Sequence, residues 1–209
     1  MSTGTGVWRQ TIARVADLRA RSLGAATREL ATAEAPNTPA MSLVRQIFFS
    51  RVPRTRVLFA SADNLTNMPD FCARIGRAVA GISHGTVGLV ARNSGSAFLS
   101  ETVWEEGEPG GSLWRIPFKL YETHCADGNV AVDLPRFDYL IFGASIGDSA
   151  APLFCKASAG AVLVITANHT RREAALRAKE ILLSWNVELL GAVLDRRTFP
   201  VPQSIYSRL

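Results

Sequence analysis

The chain lacks the cysteine pairs, long apolar runs and leader sequence that would indicate a metal cluster, a disulfide scaffold or a membrane protein. Its three cysteines, Cys72, Cys125 and Cys155, lie far apart and form no C-x-x-C pair, which favours buried thiols in a reducing compartment. No apolar run approaches the length needed to cross a bilayer, and the opening residues MSTGTGVWRQ lack a signal peptide's apolar core. We therefore expect a cytoplasmic protein with no bound metal.

A nucleic-acid-binding signature is also missing, although the formal net charge is +5 at pH 7. The arginines are spread along the chain without a nucleic-acid motif, so a basic solvated surface explains the charge more simply. Hydrophobic residues make up 47% and charged residues 20% of the 209, the balance of an ordinary soluble globular protein. This length allows one substantial core with appendages, and we expect no nucleic-acid partner.

Residues 1–40 are predicted to form an N-terminal arm and linker, rich in Ala, Arg and Thr and running into the Pro-containing stretch EAPNTPAMS. Apolar residues recur in the arm at roughly helical spacing, at Val7, Ile12, Val15, Leu18 and Leu23. Arginines lie on its other faces, so the arm is predicted to be a basic amphipathic helix. Its default docking site is its own domain, with a neighbouring subunit or an anionic membrane as alternatives. Residues 41–209 are predicted to form one domain.

From residue 54 onwards, nearly continuous apolar runs alternate with helical segments. The runs predicted as strands are 56–61, 86–91, 137–143, 160–166 and 188–195, with a short further strand at 113–117 inside an irregular stretch from 93 to 135. The segments predicted as helices are 71–82, 148–159 and 170–185, the last opened by a T-x-x-E capping box at Thr170 and Glu173. This alternation predicts an α/β fold with a doubly wound, mainly parallel sheet.

The first strand, loop and helix have the layout of a phosphate-binding loop but not its residues. The motif G-x-x-x-x-G-K-[ST] needs glycines so that backbone N–H groups curl around the phosphates, a lysine for charge and a hydroxyl for magnesium. With the hydroxyl position placed at the start of the helix, Ala62 and Asn67 stand at the glycines. Met68 replaces the lysine and Pro69 replaces the hydroxyl residue. The helix start is retained, with Asn67 or Thr66 as its cap, while the ligand chemistry is lost.

Carboxylates are also missing from the predicted strand ends, where nucleotide hydrolases and kinases of this architecture hold magnesium or activate the attacking group. The second strand runs into Ala91 and Arg92, and the strand at 137–143 runs into Gly143. Asp63 and Asp70 lie nearby in sequence, but capping of the loop and of the helix start is the simpler role for both. These residues predict a degenerate site that holds neither a triphosphate nor a metal.

The stretch GASIG, residues 143–147, matches the G-x-S-x-G nucleophile elbow of α/β-hydrolases, after a strand and before a helix. In those enzymes an acid and then a histidine follow the serine in sequence. The only acid between Ser145 and the one later histidine, His169, is Asp148, and no oxyanion stretch of the HGGG type precedes the serine. Ser145 is therefore predicted to be a loop residue, and a serine hydrolase is a remote alternative.

The last third of the chain carries a family resemblance. FDYLIFGAS, a TRR-initiated helix, the strand GAVLD and the tail TFPVPQSIYSRL together closely resemble the C-terminal half of bacterial capsular and exopolysaccharide tyrosine autokinases. Those kinases belong to the deviant-Walker P-loop class, which also contains chromosome- and septum-partitioning ATPases. SLVRQIFF (42–49) and RVLFASADN (56–64) resemble the segment leading into the family's first strand, so the likeness covers roughly residues 41–209. It implies a three-layer, P-loop NTPase-like fold.

The resemblance also indicates which nucleotide-binding positions have changed. The family's P-loop lysine and hydroxyl fall on Met68 and Pro69, and the aspartates of its second and third Walker motifs fall on Ala91 and Gly143. The asparagine that contacts adenine in this class falls on Asp195. ATP and magnesium, the cofactors that the family implies, are therefore not expected here, and no catalytic residue is assigned.

We hypothesise a catalytically silent, pseudokinase-like domain that regulates or scaffolds bacterial exopolysaccharide or capsule biosynthesis or export. The resemblance implies a membrane copolymerase or chain-length protein, or an active paralogous kinase, as partner, with self-association as a further option and membrane association only through the partner. The family's C-terminal tyrosine cluster is reduced to Tyr206, the candidate phosphoacceptor, and SLVRQIFF does not reproduce its E-x-x-R-x-x-R ring-assembly element.

Two alternatives stay open. The first is an active tyrosine autokinase or ATPase with an unorthodox site that recruits Asp63, Asp70 or Ser145. The second is a positioning or partitioning adaptor of the same fold, unconnected with polysaccharide.

Overall fold

The computed structural model describes residues 39–92, 104–108, 111–119, 121–122 and 137–196. The helices are α1 (Pro39–Phe48), α2 (Met68–Ser83), α3 (Ala151–Ala157) and α4 (Arg172–Ser184). The strands are β1 (Arg56–Ser61), β2 (Thr86–Ala91), β3 (Trp104–Glu108), β4 (Gly111–Arg115), β5 (Tyr139–Ser145), β6 (Ala161–Thr166) and β7 (Leu189–Asp195). Within these ranges, no helix combines the length and the apolar character needed to span a bilayer.

The seven strands form one sheet in the order β3-β4-β2-β5-β1-β6-β7. Every neighbouring pair is parallel except β3 and β4, which are antiparallel and place β3 at one edge. Parallel strands covered on both faces are nearly continuously apolar, and all but one residue of β1 and of β2 is buried. The predicted α/β fold with a doubly wound, mainly parallel sheet is confirmed.

Helices cover both faces of the sheet, so the core has two halves. On one face, α1 and α2 contribute Phe48 and Cys72 to a cluster around Phe59 of β1. On the other face, α3 and α4 contribute Phe154 and Leu182 to a second cluster, which is built on the central strands. Helix, sheet and helix therefore form the three layers of a doubly wound α/β architecture.

Two strands lie in the stretch that the sequence analysis left irregular. The short strand predicted at 113–117 is β4, and it begins two residues earlier, at Gly111. β3 was not predicted, because its sequence WEEGE carries three glutamates and lacks the apolar alternation of a strand. α1 begins at Pro39, inside the stretch predicted as a linker and before the predicted domain boundary.

The predicted capping box at the start of α4 is wrong. The N-cap residue of α4 is Arg171, which makes no side-chain cap hydrogen bond. The Thr170 hydroxyl instead accepts from the Thr166 backbone N–H at 2.8 Å and donates to the carboxylate of Asp63. This hydroxyl therefore joins the loop after β6 to the loop after β1, a tertiary role that local sequence spacing does not reveal.

Candidate functional site

The topology places a crevice at the carboxyl ends of β1 and β5. The chain runs from β1 through α2 to β2, and from β5 through α3 to β6. The neighbouring strands β1 and β5 are therefore followed by connections that run in opposite directions along the sheet. Ligands of doubly wound sheets bind outside the strand ends at such a switch point. The predicted site positions lie along this edge of the sheet, namely Ala62, Asn67, Met68, Pro69, Ala91, Gly143 and Asp195.

The start of α2 is capped by the chain's own side chains. Asn67 Oδ1 accepts from the backbone N–H of Asp70 at 3.3 Å, and Asn67 Nδ2 donates to Asp70 Oδ2 at 2.6 Å. Pro69 lies in the first turn and has no N–H to offer a ligand. The Asp70 carboxylate places a negative charge where a phosphate would need the positive end of the helix. The predicted capping role of Asn67 and Asp70 is confirmed, and this helix start disfavours an anion.

The position that corresponds to the family's lysine is a core position in this chain. The Met68 side chain is 1% exposed and packs with Phe71 and Cys72 in the cluster between α2 and the sheet. A flexible thioether fills irregular space in such a core. An ammonium group at this depth would lose its hydration among apolar side chains. The site therefore offers no room for a charged group that would reach a phosphate from this position.

The two positions that correspond to the Walker aspartates lie against the side chain of Cys72 on α2. Ala91 and Gly143 are register partners on β2 and β5. A Cβ added to Gly143 would lie 2.5 Å from Cys72 Sγ and 3.1 Å from the Ala91 Cβ, so α2 and β2 already fill the space of a side chain. Burial raises the pKa of the Cys72 thiol above its ordinary value, against a smaller lowering by Arg74, so the thiol stays neutral. These positions do not fit a magnesium ligand.

The loop between β1 and α2 is held by hydrogen bonds to neighbouring strand ends. Asn64 Oδ1 accepts from the Ser145 hydroxyl at the end of β5, and the hydroxyls of Thr66 and Thr166 lie 2.8 Å apart. Asp63 accepts from the backbone N–H two residues later at 3.0 Å, which confirms its predicted role in the loop. The polar groups of this loop are thus directed at each other and at the adjoining loops, whereas a phosphate-binding loop directs N–H groups at its ligand.

Asp148, which the sequence analysis did not assign to the site, also lies at this edge. The Asp148 carboxylate accepts from the Ala150 backbone N–H at 2.9 Å and lies 3.4 Å from Arg92 Nε. The Arg92 guanidinium is 4.8 Å from the centre of the Phe118 ring. The ion pair of Asp148 with Arg92 joins the end of β2 to the loop after β5.

Across the described part of the chain, no three His, Cys, Asp or Glu side chains are grouped to hold a metal ion.

Asp195, at the end of β7, is part of an ion pair. Its Oδ1 lies 2.8 Å from Arg74 Nη2 of α2, its Oδ2 lies 3.7 Å from Arg196 Nε, and the side chain is 6% exposed. Arg74 also lies over the Phe71 ring, 5.5 Å from its centre. By the resemblance, an adenine would lie beside this position. The ion pair instead joins β7 to α2 directly.

Ser145 is the last residue of β5 and is 4% exposed, so its prediction as a loop residue is wrong. A nucleophile elbow holds its serine in a strained turn. Ser145 is not among the described non-glycine residues with positive φ, and its hydroxyl donates to Asn64 rather than to a histidine. The geometry gives the hydrolase alternative no support.

Sequence reasoning missed the two α2 residues that fill the site, Cys72 and Arg74. Cys72 was detectable in principle, because it lies four residues after Met68 and so shares a helix face with it. Arg74 carried no such signal, because its partner is 121 positions away. The predicted burial of Cys72 and Cys155 is confirmed. Tyr206 and Cys125 lie outside the described residues.

Known proteins share the fold of this chain, but no sequence comparison finds a relative. No family model and no curated protein matches this chain. Among solved structures, the chimerical protein CapA2B2 has a TM-score of 0.62 at 15% identity, with 79% of this chain and 88% of that one covered. The BceF tyrosine kinase domain has a TM-score of 0.53 at 12% identity, with 87% and 88% covered. The kinase domain of the Escherichia coli tyrosine kinase ETK has a TM-score of 0.50 at 13% identity, with 84% and 88% covered.

At these identities the likeness shows the fold alone. The chain therefore has the fold of tyrosine kinase domains, as its sequence resemblance predicts, and its own side chains fill the positions at the carboxyl edge of the sheet where the resemblance places the nucleotide-binding groups.

Proposed function

We propose that this chain is a catalytically silent, tyrosine-kinase-like domain that acts by binding a protein partner in bacterial exopolysaccharide or capsule assembly. The observation that carries the proposal is the contact between α2 and β5. There the buried Met68 and Cys72 fill the space that a lysine and the carboxylate at position 143 would need. The fold of tyrosine kinase domains and the sequence resemblance of residues 137–209 support the polysaccharide setting.

The residues that an unorthodox enzyme would recruit already have intramolecular partners. Asp63 and Asp70 accept hydrogen bonds from their own loop and helix start, and Ser145 donates to Asn64. A catalytic carboxylate must reach the reacting group, and a nucleophilic serine needs an adjacent base. These contacts favour a binding role over an active kinase or ATPase.

Nucleotide titration tests the silence of the site. With magnesium in excess, we expect calorimetry to show no binding of ATP or ADP tighter than about 1 mM. Among the described residues, the start of α2 carries methionine where the family has its lysine and is capped by Asn67, and no cluster of metal-binding side chains lies nearby. The E. coli ETK kinase domain, titrated in the same buffer, is the positive control. A micromolar dissociation constant for ATP would end the proposal of a silent site.

Partner binding tests the role in polysaccharide assembly. We expect the gene for this chain to lie beside genes for glycosyltransferases and a polymerase, and the purified chain to bind the cytoplasmic segment of the membrane copolymerase encoded with them. Because the proposed contact uses no nucleotide, affinity measured by biolayer interferometry should be unchanged by EDTA or by added ADP. An operon of segregation genes, together with no binding to the copolymerase segment, would support the partitioning adaptor instead.

A further inference from the structure

β7 is an edge strand: among the described strands, only β6 pairs with it. The carbonyl of Asp195, its last residue, accepts from the Ala167 N–H, which directly follows β6, at 2.9 Å. The N–H and C=O groups of successive residues alternate in direction along a strand. The backbone groups of Ala192 and Leu194 therefore point away from β6, where they form a template for a further strand.

β7 lacks the proline and the exposed charged side chains that usually protect an edge strand. Its sequence is LLGAVLD, and its one charged residue, Asp195, is 6% exposed and paired with Arg74. Ala192 is exposed, and Leu194 is 52% exposed. The sequence of β3, at the other edge of the sheet, carries three glutamates in WEEGE. An apolar edge of this kind is a place where another chain can add a strand.

A cleft lies between β7, α1 and the segment that follows α1, and its volume is about 280 Å³. Ile47 and Val162, which are buried, give it an apolar interior. Gln46 and Ser50, which are exposed, give it a polar rim. Pockets for drug-sized molecules are usually larger, about 300–1,000 Å³. The cleft therefore suits a single apolar side chain of a peptide better than a cofactor.

Gly191 connects the edge of β7 with the cleft. A Cβ added to Gly191 would have no described atom within 4 Å beyond its chain neighbours, so the space beside it is open. Gly191 is the register partner of Val162, which also lines the cleft, and register partners share a face of the sheet. In a strand added beside β7, alternate side chains would point to this face. One of them would lie across Gly191 in the cleft, so that backbone hydrogen bonds provide affinity and the cleft selects the side chain.

The charge around the cleft favours an acidic segment of another protein over a second copy of this chain. Arg45 of α1 and Arg51, next to the rim, are exposed, whereas Glu188 is paired with Arg54. The chain has a formal net charge of +5, so a second copy would bring like charge to this surface. Stable dimers also use about 20–30 residues on each side, and this edge offers one strand of 7 residues.

We propose that β7 binds an extended, acidic segment of a protein partner, which adds to the sheet as a strand and places an apolar side chain in the cleft across Gly191. Acidic residues of the segment then lie near Arg45 and Arg51. This inference deepens the proposed function and rests on it for the existence of a protein partner. It assigns that partner to the edge of the sheet and not to the degenerate nucleotide-binding positions.

Peptide selection on the full-length chain tests the edge. Random nine-residue peptides displayed on phage are selected on the wild-type protein, and synthetic copies of the enriched peptides are titrated by fluorescence polarisation. We expect apolar residues at alternate positions, together with acidic residues. Ala192→Pro is expected to weaken binding roughly tenfold, because it removes an N–H that points away from β6. Ala192→Thr keeps this N–H and is the matched control, expected to bind within about twofold of wild type.

A substitution at the cleft tests the same site without changing the strand. Val52 lines the cleft and is 65% exposed, so the fold tolerates a change there. Val52→Asp places a carboxylate beside the acidic peptide and is expected to weaken its binding roughly fivefold. A selection that enriches no binding peptide would overturn the proposal. So would peptides that bind Ala192→Pro and Val52→Asp as tightly as wild type.

Hydrogen exchange followed by NMR identifies what covers the edge. The Ala192 and Leu194 amides are expected to exchange fast in the free protein and roughly tenfold more slowly when a selected peptide saturates it. Slow exchange in the free protein at every concentration would mean that another part of the same chain already covers β7. Slowing that follows protein concentration alone would mean a second copy. Either result contradicts the proposal.

The copolymerase segment separates this inference from the proposed function. If that segment binds Ala192→Pro as tightly as wild type, the edge is not the partner's surface, and the proposed function stands. If the segment does not bind wild-type protein while selected peptides bind in a manner sensitive to Ala192→Pro, strand addition at β7 stands and the role in polysaccharide assembly fails.

Discussion

Replacing Gly143 by aspartate is expected to lower the free energy of unfolding by roughly 3–5 kcal/mol, even though the resemblance places an aspartate at this position. The new Cβ would lie 2.5 Å from Cys72 Sγ and 3.1 Å from the Ala91 Cβ, so the Cys72 side chain or α2 must shift before any side chain fits. The carboxylate would then be buried beside Cys72 and Ala91, where it loses its hydration. Urea denaturation followed by circular dichroism measures the change.

Two companion variants separate the steric cause from the electrostatic one. Gly143→Ala introduces the crowding without the charge and is expected to cost about 1–3 kcal/mol. Adding Cys72→Ala to Gly143→Asp removes the sulfur and should recover part of the loss, which a double-mutant cycle would show as coupling between the two positions. If Gly143→Asp unfolds at the same urea concentration as the wild type, the space beside β5 is open and the site is not filled as described.

The fold was largely predictable because parallel strands covered on both faces are nearly continuously apolar. β1 and β2 match the predicted ranges 56–61 and 86–91 at both ends, and β6 and β7 each begin one residue later than predicted. β3 was not predictable in this way, since an edge strand rich in glutamate carries no apolar pattern. The capping box failed for a different reason, because Thr170 forms a long-range hydrogen bond that competes with the local cap.

The sequence predicted which nucleotide-binding residues the candidate site has lost. It did not predict which side chains occupy their places. Loss can be read from single positions, such as methionine at 68 and glycine at 143. Replacement depends on which side chains the fold brings to those positions. Cys72 lies beside Gly143 only because α2 packs across β5, and the ion pair of Arg74 with Asp195 joins elements far apart in sequence. Tertiary packing therefore decides whether a changed motif leaves a vacant pocket or a filled core.

Replacing Met68 by lysine is expected to destabilise the fold by about 3–5 kcal/mol at pH 7, although the family's phosphate-binding lysine corresponds to this position. The side chain is 1% exposed and packs with Phe71 and Cys72, so an ammonium group there loses its hydration among apolar neighbours. Met68→Leu, which conserves volume and lacks charge, is the matched control and should cost less than about 1.5 kcal/mol. Urea denaturation of both variants measures the difference.

The pH dependence of the lysine variant gives an independent test of burial. Burial lowers the pKa of an amine, so between this lowered pKa and about pH 10 the unfolded chain binds more protons than the folded one, and stability rises with pH. The deficit of Met68→Lys relative to Met68→Leu should therefore shrink between pH 7 and pH 9.5. A constant deficit would mean that the lysine reaches solvent. A small deficit at pH 7 together with new ATP binding would mean that a single substitution restores a phosphate site. That result would contradict our conclusion that the start of α2 disfavours anions, which rests on its cap, Asn67, and on the negative charge of Asp70.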